Sequence, residues 1–469
     1  MVEKRVTPDT TANEPSNPNN YGDTYATILR FFIPEFITAF LLYSAPLWLD
    51  AYFVSQLQST ATYATLGASN NLIHFITKIA EAFSISAIVL SGQHNGRGEY
   101  EEAGRAARDV IGVTGVLGFL TAFALYVGAP YIYEWHGVAP EIIEQGVPFL
   151  RLRAISVLFM FLYFAVVGFL RGIKNTRVPM KIFVAGLLVF MVLDYGLIFG
   201  KLGMPKMGLQ GSALASVIQY GGMVLVALGY IFLHPKNERY RTKMLSGVFS
   251  LDYARRVFHL SWPVAIDKAL MAGAYVWLLK MICPMGTCGI ATYSVVKDME
   301  RFAFLPAAAF AHVITLLASN SHGRSDWDGI KHNIRRITIL ASGMVFVLLT
   351  LFSLWPKQVI QIFDPKGDFT DLAAQVFPLL SVLVFFDLLQ LILSGALRGT
   401  GNVKTVMMVR LAVCLGYFVP VSYLIAQSTI ENHALKFFLI YGSFYIGNAL
   451  MSLVYIRTFR RGTWKNVSI

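Results

Sequence analysis

Two short stretches decide the fold of this chain: Gly168-Phe-Leu-Arg-Gly-Ile-Lys-Asn175 and Gly395-Ala-Leu-Arg-Gly-Thr-Gly-Asn402. They share the pattern G-x-L-R-G-x-x-N, and their arginines stand 227 positions apart (398 − 171 = 227). The same offset, with no gap, pairs Gly96-Arg97 with Gly323-Arg324, Arg108 with Arg335, and Ala64-Thr65 with Ala291-Thr292. Self-similarity at one fixed offset indicates that the chain contains two copies of one structural unit.

The composition indicates the environment of these units. Of the 469 residues 55% are hydrophobic and only 14% are charged, and the mean hydropathy is +0.56. Soluble domains carry about 25% charged residues. The composition therefore excludes an ordinary soluble domain, a disordered chain and a nucleic-acid-binding module, and it predicts a polytopic protein of the lipid bilayer.

Apolar runs long enough to cross a bilayer, which requires roughly 20 residues, give twelve predicted spans. They lie near 28–55, 64–91, 109–132, 147–170, 179–200, 208–234, 258–283, 289–319, 337–355, 370–397, 404–427 and 434–456. Each repeat then holds six spans, and an even number gives both repeats the same orientation, as in transporters with parallel repeats. We predict an all-α integral membrane protein whose two six-helix repeats surround a central cleft.

The basic residues set the predicted orientation. Most of the 39 Lys and Arg residues fall in segments on one side, whereas the other side carries Lys201, Lys206, Lys357, Lys366 and Lys436. The positive-inside rule then places both termini in the cytoplasm and the protein in the cytoplasmic (inner) membrane. This asymmetry accounts for the net charge of +12 without a nucleic-acid partner.

The predicted organisation follows from these spans and loops. It consists of a disordered cytoplasmic arm (1–27), a first lobe (28–234), a basic cytoplasmic linker (235–257), a second lobe (258–458) and a cytoplasmic tail (459–469).

Ionisable residues inside spans are costly and are functional candidates by default. Asp50 and Asp194 both fall late in outward-running spans, so we expect them at similar depth in the first repeat. Two carboxylates in a poorly solvated site repel each other, and one of them then takes up a proton readily. The alternative is a capping or interhelical hydrogen bond.

Asp387 stands in the apolar run Val384-Phe-Phe-Asp-Leu-Leu-Gln390, with no basic neighbour at helical spacing. It must therefore find a partner on another helix or face water, which makes it a candidate for binding substrate or a coupling cation.

Other acidic residues in the spans have basic neighbours in sequence. Glu81 follows Lys78 by three residues, a spacing at which the two charges neutralise each other. Asp267, Asp298 and Glu300 occupy the predicted spans 7 and 8. For Glu81 and these three acids, a structural ion pair or network and a substrate or cation cavity both remain open, and Ser216 is a further candidate for lining that cavity.

Two prolines in the first span precede Asp50. Pro34 and Pro46 each remove a helical hydrogen bond, so a kink there is expected. The kink either couples protonation of Asp50 to movement or is static.

These residues together resemble a known family. The two L-R-G-x-x-N elements, the run from Asp387 to Gly399, the stretch Gly208-Leu-Gln-Gly211-Ser-Ala-Leu-Ala and Asp50 resemble the multidrug and toxic compound extrusion (MATE) transporters over residues 28–460. The resemblance implies a V-shaped pair of six-helix lobes that exports organic, often cationic, compounds in exchange for H⁺ or Na⁺. A monomer that needs no cofactor or resident metal is expected.

The resemblance also implies roles for individual residues. Asp50 and Asp194 look like the carboxylates that bind the coupling cation in the first lobe. Asp387 looks like their counterpart in the second lobe, and Pro34 resembles the bending proline.

The sequence also departs from the family pattern. Phe190 stands where an Asn is common and Ser216 where a Thr is common, while Asp267 matches the acidic residue of span 7 only approximately. Losing the Asn oxygen favours H⁺ over Na⁺.

Two other functions were compared with this one. A flippase for lipid-linked oligosaccharides or peptidoglycan precursors, from the same superfamily, would have a cleft lined mainly by Arg and Lys. An enzyme is not expected, because the one suggestive string, His322-Gly-Arg-Ser-Asp326, is explained by the repeat, since its Gly-Arg matches Gly96-Arg97.

Overall fold

The computed structural model describes residues 22–56, 60–135, 140–245, 251–364 and 366–466, and this part of the chain is built from α-helices. The helices are α1 (Tyr25–Ser55), α2 (Thr60–Arg97), α3 (Tyr100–Trp135), α4 (Pro140–Gly172), α5 (Arg177–Phe199), α6 (Leu209–Leu233), α7 (Glu238–Leu245), α8 (Leu251–Ile282), α9 (Gly286–Gly323), α10 (Trp327–Leu354), α11 (Pro356–Gln361), α12 (Thr370–Gly399), α13 (Val403–Val413), α14 (Val419–Gln427) and α15 (His433–Arg461). We call α1–α6 the first bundle and α8–α15 the second bundle.

Eleven helical stretches of the described chain are long and apolar enough to cross a membrane, and one of them, Ala254–Gly323, contains two spans. Within it, α8 and α9 are separated by a 3-10 turn at Cys283–Met285. The hydroxyl of Tyr293 donates to the carbonyl oxygen of Tyr275 at 3.1 Å, which is possible only if the chain folds back at this turn. The twelve predicted spans are confirmed, the eleventh being α13 and α14 joined through a π-helical turn at Cys414–Phe418.

The ends of several predicted segments move. Helix α1 begins at Tyr25, because the side chain of Thr24 caps it by accepting from the Thr27 amide at 3.2 Å. The predicted arm therefore ends before residue 27, and its first 21 positions lie outside the described residues. Helix α7 forms inside the predicted linker, and α15 continues to Arg461, beyond the predicted start of the tail.

The repeat is visible in the packing. A Cβ atom on Gly168 would lie 2.5 Å from the carbonyl oxygen of Ser84, and one on Gly395 would lie 2.9 Å from that of Ala311. Ser84 and Ala311 again differ by 227 positions. The repeated glycine thus allows α4 to approach α2 and α12 to approach α9 in the same way.

The two bundles meet where α2 and α9 end, and we call this end of the molecule the closed end. A Cβ atom on Gly96 would lie 2.1 Å from the carbonyl oxygen of Asn320, and one on Gly323 would lie 2.1 Å from that of Gln93. Both pairs correspond under the offset of 227, so α2 and α9 cross with local two-fold symmetry. Only residues without a side chain permit backbones to approach this closely.

The segment before α1 joins the two bundles at the closed end. The Asp23 amide donates to Asn333 Oδ1 at 2.8 Å, and Arg336 donates to the Asp23 carbonyl oxygen at 2.6 Å. Lys174 of the first bundle lies 3.8 Å from the Asp23 carboxylate. Burial lowers the pKa of the Lys174 ammonium, and Asp23 opposes this shift.

Candidate functional site

Asp387 lies buried on α12 and receives a hydrogen bond from the side-chain amide of Asn448 on α15, at 3.0 Å. This is the interhelical partner that an acidic residue in an apolar run requires. Arg410 acts on Asp387 electrostatically, but its guanidinium is bonded to Asp267.

Glu300 of α9 belongs to the same part of the second bundle. It is buried, its Oε2 accepts a hydrogen bond from the hydroxyl of Tyr441 at 2.6 Å, and its carboxyl repels that of Asp387. Among the described residues, neither carboxyl forms an ion pair with Lys or Arg. Two acids with neutral hydrogen-bond donors in a low dielectric favour a bound positive charge, either a proton or another cation.

Aromatic rings surround these two acids. Tyr441 lies 5.7 Å from Tyr445 between ring centroids, and Tyr275 lies 5.1 Å from Phe444. The ammonium group of Lys297 lies 5.5 Å from the ring centroid of Tyr275. The aromatic wall limits access of water and offers ring faces to an organic substrate.

Asp267 has a different environment: its ion-pair partners lie on α12 and α13, and not on α9 as the first of the two alternatives for it expected. Arg398 of α12 donates to Asp267 Oδ2 at 2.6 Å, and Arg410 of α13 donates to Oδ1. The carboxylate is buried and engaged on both oxygens. We assign this group to the structure of the second bundle, because both of its oxygens are already neutralised.

The other acids named from the sequence in α2 and α9, Glu81 and Asp298, do not belong to the buried pair of Asp387 and Glu300. Lys78 lies 3.2 Å from both carboxylate oxygens of Glu81, so these two charges neutralise each other within α2. Asp298 lies exposed on α9.

A group rich in basic residues lies between the two bundles, away from the closed end. It consists of residues of α2 and α9 that interact electrostatically, His74, Lys78, Lys297 and Arg301, together with Glu81, which is paired with Lys78. His74 and Arg301 correspond under the offset of 227, so the group lies near the symmetry axis that relates the repeats.

The predicted pair in the first bundle is described only in part. Asp194 is fully buried on α5. Asp50 belongs to α1, but its side chain lies outside the described residues, as does that of Pro46. Ser216 of α6 donates to the Ser212 carbonyl oxygen at 3.1 Å and accepts a hydrogen bond from Arg153 of α4.

Pro34 is a buried residue within α1, as predicted. The hydroxyl of Thr38 donates to the Pro34 carbonyl oxygen at 2.8 Å. This is the i to i−4 bond that Thr side chains form within helices, and such bonds often accompany a bend.

Sequence reasoning also missed a buried ion pair between α1 and α4. Arg171 Nε donates to Glu35 Oε1 at 2.7 Å, and Glu35 is 2% exposed. Arg171 and Arg398 end apolar runs and were therefore assigned to loops, whereas both are buried at helix ends. The available signal was Glu35 itself, because an acid next to Pro34 in an apolar run requires a partner.

The described part of the chain contains no assembled centre for metal binding or for thiol chemistry. No group of three or more His, Cys, Asp or Glu side chains is placed to hold a metal ion there. The three cysteines, Cys283, Cys288 and Cys414, are free thiols.

Comparisons with known proteins agree with this architecture. The family model described as MatE matches residues 36–196 and 263–424, and the two matched segments start 227 positions apart. The chain is 26% identical over 369 residues to "Probable multidrug resistance protein YoeA" of Bacillus subtilis (strain 168), covering 76% of this chain and 77% of that protein.

Two solved structures show the shared fold. A mutant of the Vibrio cholerae MATE transporter VcmN superposes with a TM-score of 0.83 at 14% identity, covering 93% of this chain and 96% of that one. A MOP superfamily transporter from Pyrococcus furiosus superposes with a TM-score of 0.82 at 17% identity, covering 94% and 96%. For the latter, a reversed polarity of the binding pocket has been taken to suggest a different function.

Proposed function

The chain belongs to the MatE family of multidrug and toxic compound extrusion transporters, and on this premise we propose that it is an antiporter that exports organic, often cationic, small molecules in exchange for H⁺. It is a multi-pass membrane transporter and not an enzyme. The proposal extends to its setting: a monomer in the cytoplasmic (inner) membrane, with both termini and the closed end in the cytoplasm. The structure then represents an outward-facing state.

The observation that carries the proposal is the pairing of Asp387 with Asn448 and of Glu300 with Tyr441. Both buried acids have neutral partners, so together they accept one positive charge at little cost. A proton and a cationic substrate each supply that charge, and they therefore compete for the same place. Competition of this kind is what antiport requires, because each ligand favours a different state of the bundles.

Protons fit this site better than Na⁺. Hard cations require several oxygen ligands at short distance. Here the side-chain amide of Asn448 and the hydroxyl of Tyr441 each donate to one oxygen of a carboxylate, which leaves fewer oxygens for Na⁺. In the first bundle, the guanidinium of Arg153 lies against Ser216, and its charge opposes a metal cation there.

Proteoliposomes test the coupling ion directly. Purified protein is reconstituted, and accumulation of ethidium, a fluorescent organic cation, is followed under a pH gradient alone and under a Na⁺ gradient alone. The proposal expects transport under the pH gradient and none above protein-free liposomes under the Na⁺ gradient. Transport driven by Na⁺ alone would contradict it.

A second candidate function rests on the basic group of His74, Lys78, Lys297 and Arg301. Its position between the bundles suits an anionic head group, as in a flippase for lipid-linked oligosaccharides or peptidoglycan precursors. The same liposomes, loaded with the anionic dye carboxyfluorescein, distinguish the two. Preference for the anionic dye over ethidium would favour the second candidate.

A further inference from the structure

A small cavity lies inside the first bundle, apart from the Asp387 site. Its volume is about 30 Å³, which is room for about two water molecules. Helices α1, α2, α4, α5 and α6 form its walls, and His312 of α9 closes it from the second bundle. Its lining includes the buried pair of Glu35 and Arg171.

Two buried oxygens in this lining have no hydrogen-bond partner among the described residues. They are Oε2 of Glu35, which is 2% exposed, and Oγ of Ser84, which is 3% exposed. The hydroxyl-bearing residues Tyr163 and Tyr220 line the same cavity. An unpartnered carboxylate oxygen buried beside neutral hydroxyls is a costly arrangement that a bound cation relieves.

The second bundle shows how such a carboxylate is neutralised when it is purely structural. There Asp267 is held on both oxygens, by Arg398 and by Arg410. Under the offset of 227, Arg398 corresponds to Arg171 and Arg410 corresponds to Phe183. The first bundle therefore has the first arginine but a phenyl ring in place of the second, and Phe183 lines the cavity.

We propose that this cavity binds a small monovalent cation, a proton carried on water or a Na⁺ ion, at Oε2 of Glu35. The cation takes the role that Arg410 has in the other repeat. When the ligand is a proton, it moves from cavity water to Oε2 and forms an O–H bond, while Arg171 remains bonded to Oε1. The inference deepens the proposed antiport and rests on it, because it gives the first bundle an ion site distinct from the predicted pair of Asp50 and Asp194.

Charged and titratable groups line the cavity on every wall except α5, whose lining residue is Phe183: Glu81 of α2, Tyr163 and Arg171 of α4, Tyr220 of α6 and His312 of α9. His312 is acted on in turn by Lys78 of α2 and Lys268 of α8. His312 comes from the second bundle, so ion binding at Glu35 acts across the interface that alternating access must open.

The test measures ion binding on the full-length protein, without substrate or gradient. Infrared difference spectra between alkaline and acidic pH report protonated carboxyl groups, and radioactive sodium reports Na⁺ binding at alkaline pH. Glu35→Gln keeps the shape of the side chain but removes its charge. Phe183→Arg places a guanidinium where the other repeat has one, and Phe183→Leu is its uncharged control.

In Glu35→Gln and in Phe183→Arg we expect either the loss of one protonated-carboxyl band or Na⁺ binding weakened at least about tenfold. Phe183→Leu should show neither change. The signal that changes, the carboxyl band or Na⁺ binding, shows whether the cation is a proton or Na⁺. Glu35→Gln that keeps both signals at the wild-type level overturns the proposal, whether or not Phe183→Arg folds. Because no transport is measured, this failure is distinct from absent coupling to a pH gradient, which would overturn the proposed function instead.

Discussion

Arg171 and Arg398, which correspond in the two repeats, each bind a buried carboxylate on the first helix of their own bundle, Glu35 on α1 and Asp267 on α8. The repeated L-R-G-x-x-N motif therefore provides an ion pair within each bundle as well as a helix end. The pairs are not identical, because Asp267 also binds Arg410. Arg398 thus belongs to a buried cluster in which both carboxylate oxygens are bonded, whereas its equivalent, Arg171, lies beside a small cavity.

The buried cluster of Asp267, Arg398 and Arg410 predicts a large loss of folding stability in Asp267→Asn. This change leaves two buried guanidinium groups without a carboxylate, and breaking a buried pair from one side costs about 3–5 kcal/mol. Urea titration of the protein in detergent, followed by tryptophan fluorescence, measures the loss. Asp328→Asn is the matched control, because its pair with Lys331 is more than half exposed and is screened by solvent. Equal losses in the two variants would contradict the structural role of Asp267.

The close crossing of α2 and α9 at Gly96 and Gly323 predicts that Gly96→Leu prevents the two bundles from meeting at the closed end. A leucine there collides with the backbone of Asn320, so we expect ethidium transport to fall to the level of protein-free liposomes while the protein remains folded. A single cysteine placed at Ser319 should then react faster with a membrane-impermeant maleimide. Gly343→Leu is the control, since a Cβ atom there meets nothing within 4 Å. Normal transport by Gly96→Leu would show that the crossing is not needed.

The basic group predicts a change in charge preference. Arg301→Gln removes one positive charge from the interface, where repulsion of a cationic substrate amounts to about 1 kcal/mol. The apparent affinity for ethidium should therefore rise about fivefold. Arg324→Gln, at the exposed closed end, should leave it unchanged. If Arg301→Gln instead weakens transport of both ethidium and carboxyfluorescein, the group binds an anionic part of the substrate and the second candidate function gains support.

The spans and the repeat were predictable because they depend on local properties. A run of roughly 20 apolar residues is visible in any window of the sequence, and Gly96 and Gly323 carry the repeat without a gap. The hairpin at Cys283–Met285 was also placed correctly, since the apolar run there is too long for one span.

The ion pairs were not predictable, because their partners are far apart in the chain. Glu35 and Arg171 are 136 positions apart, and Asp267 and Arg410 are 143 apart. Sequence spacing suggests partners within one helix, as it did correctly for Lys78 and Glu81. Which helix faces which is decided by packing, and only the structure separates neutralised acids from those with neutral partners.

If the buried acid on α12, Asp387, carries the coupling proton, Asp387→Asn should uncouple transport from the pH gradient. Asparagine keeps the size of the side chain and remains uncharged at every pH, whereas Asp371→Asn changes an exposed acid at the start of the same helix. Ethidium transport driven by a pH gradient is measured for both variants and for the wild-type protein. We expect Asp387→Asn to reduce the driven rate at least about tenfold, the loss of a charge-assisted contact, and Asp371→Asn to match the wild type. A wild-type rate in Asp387→Asn would contradict the account.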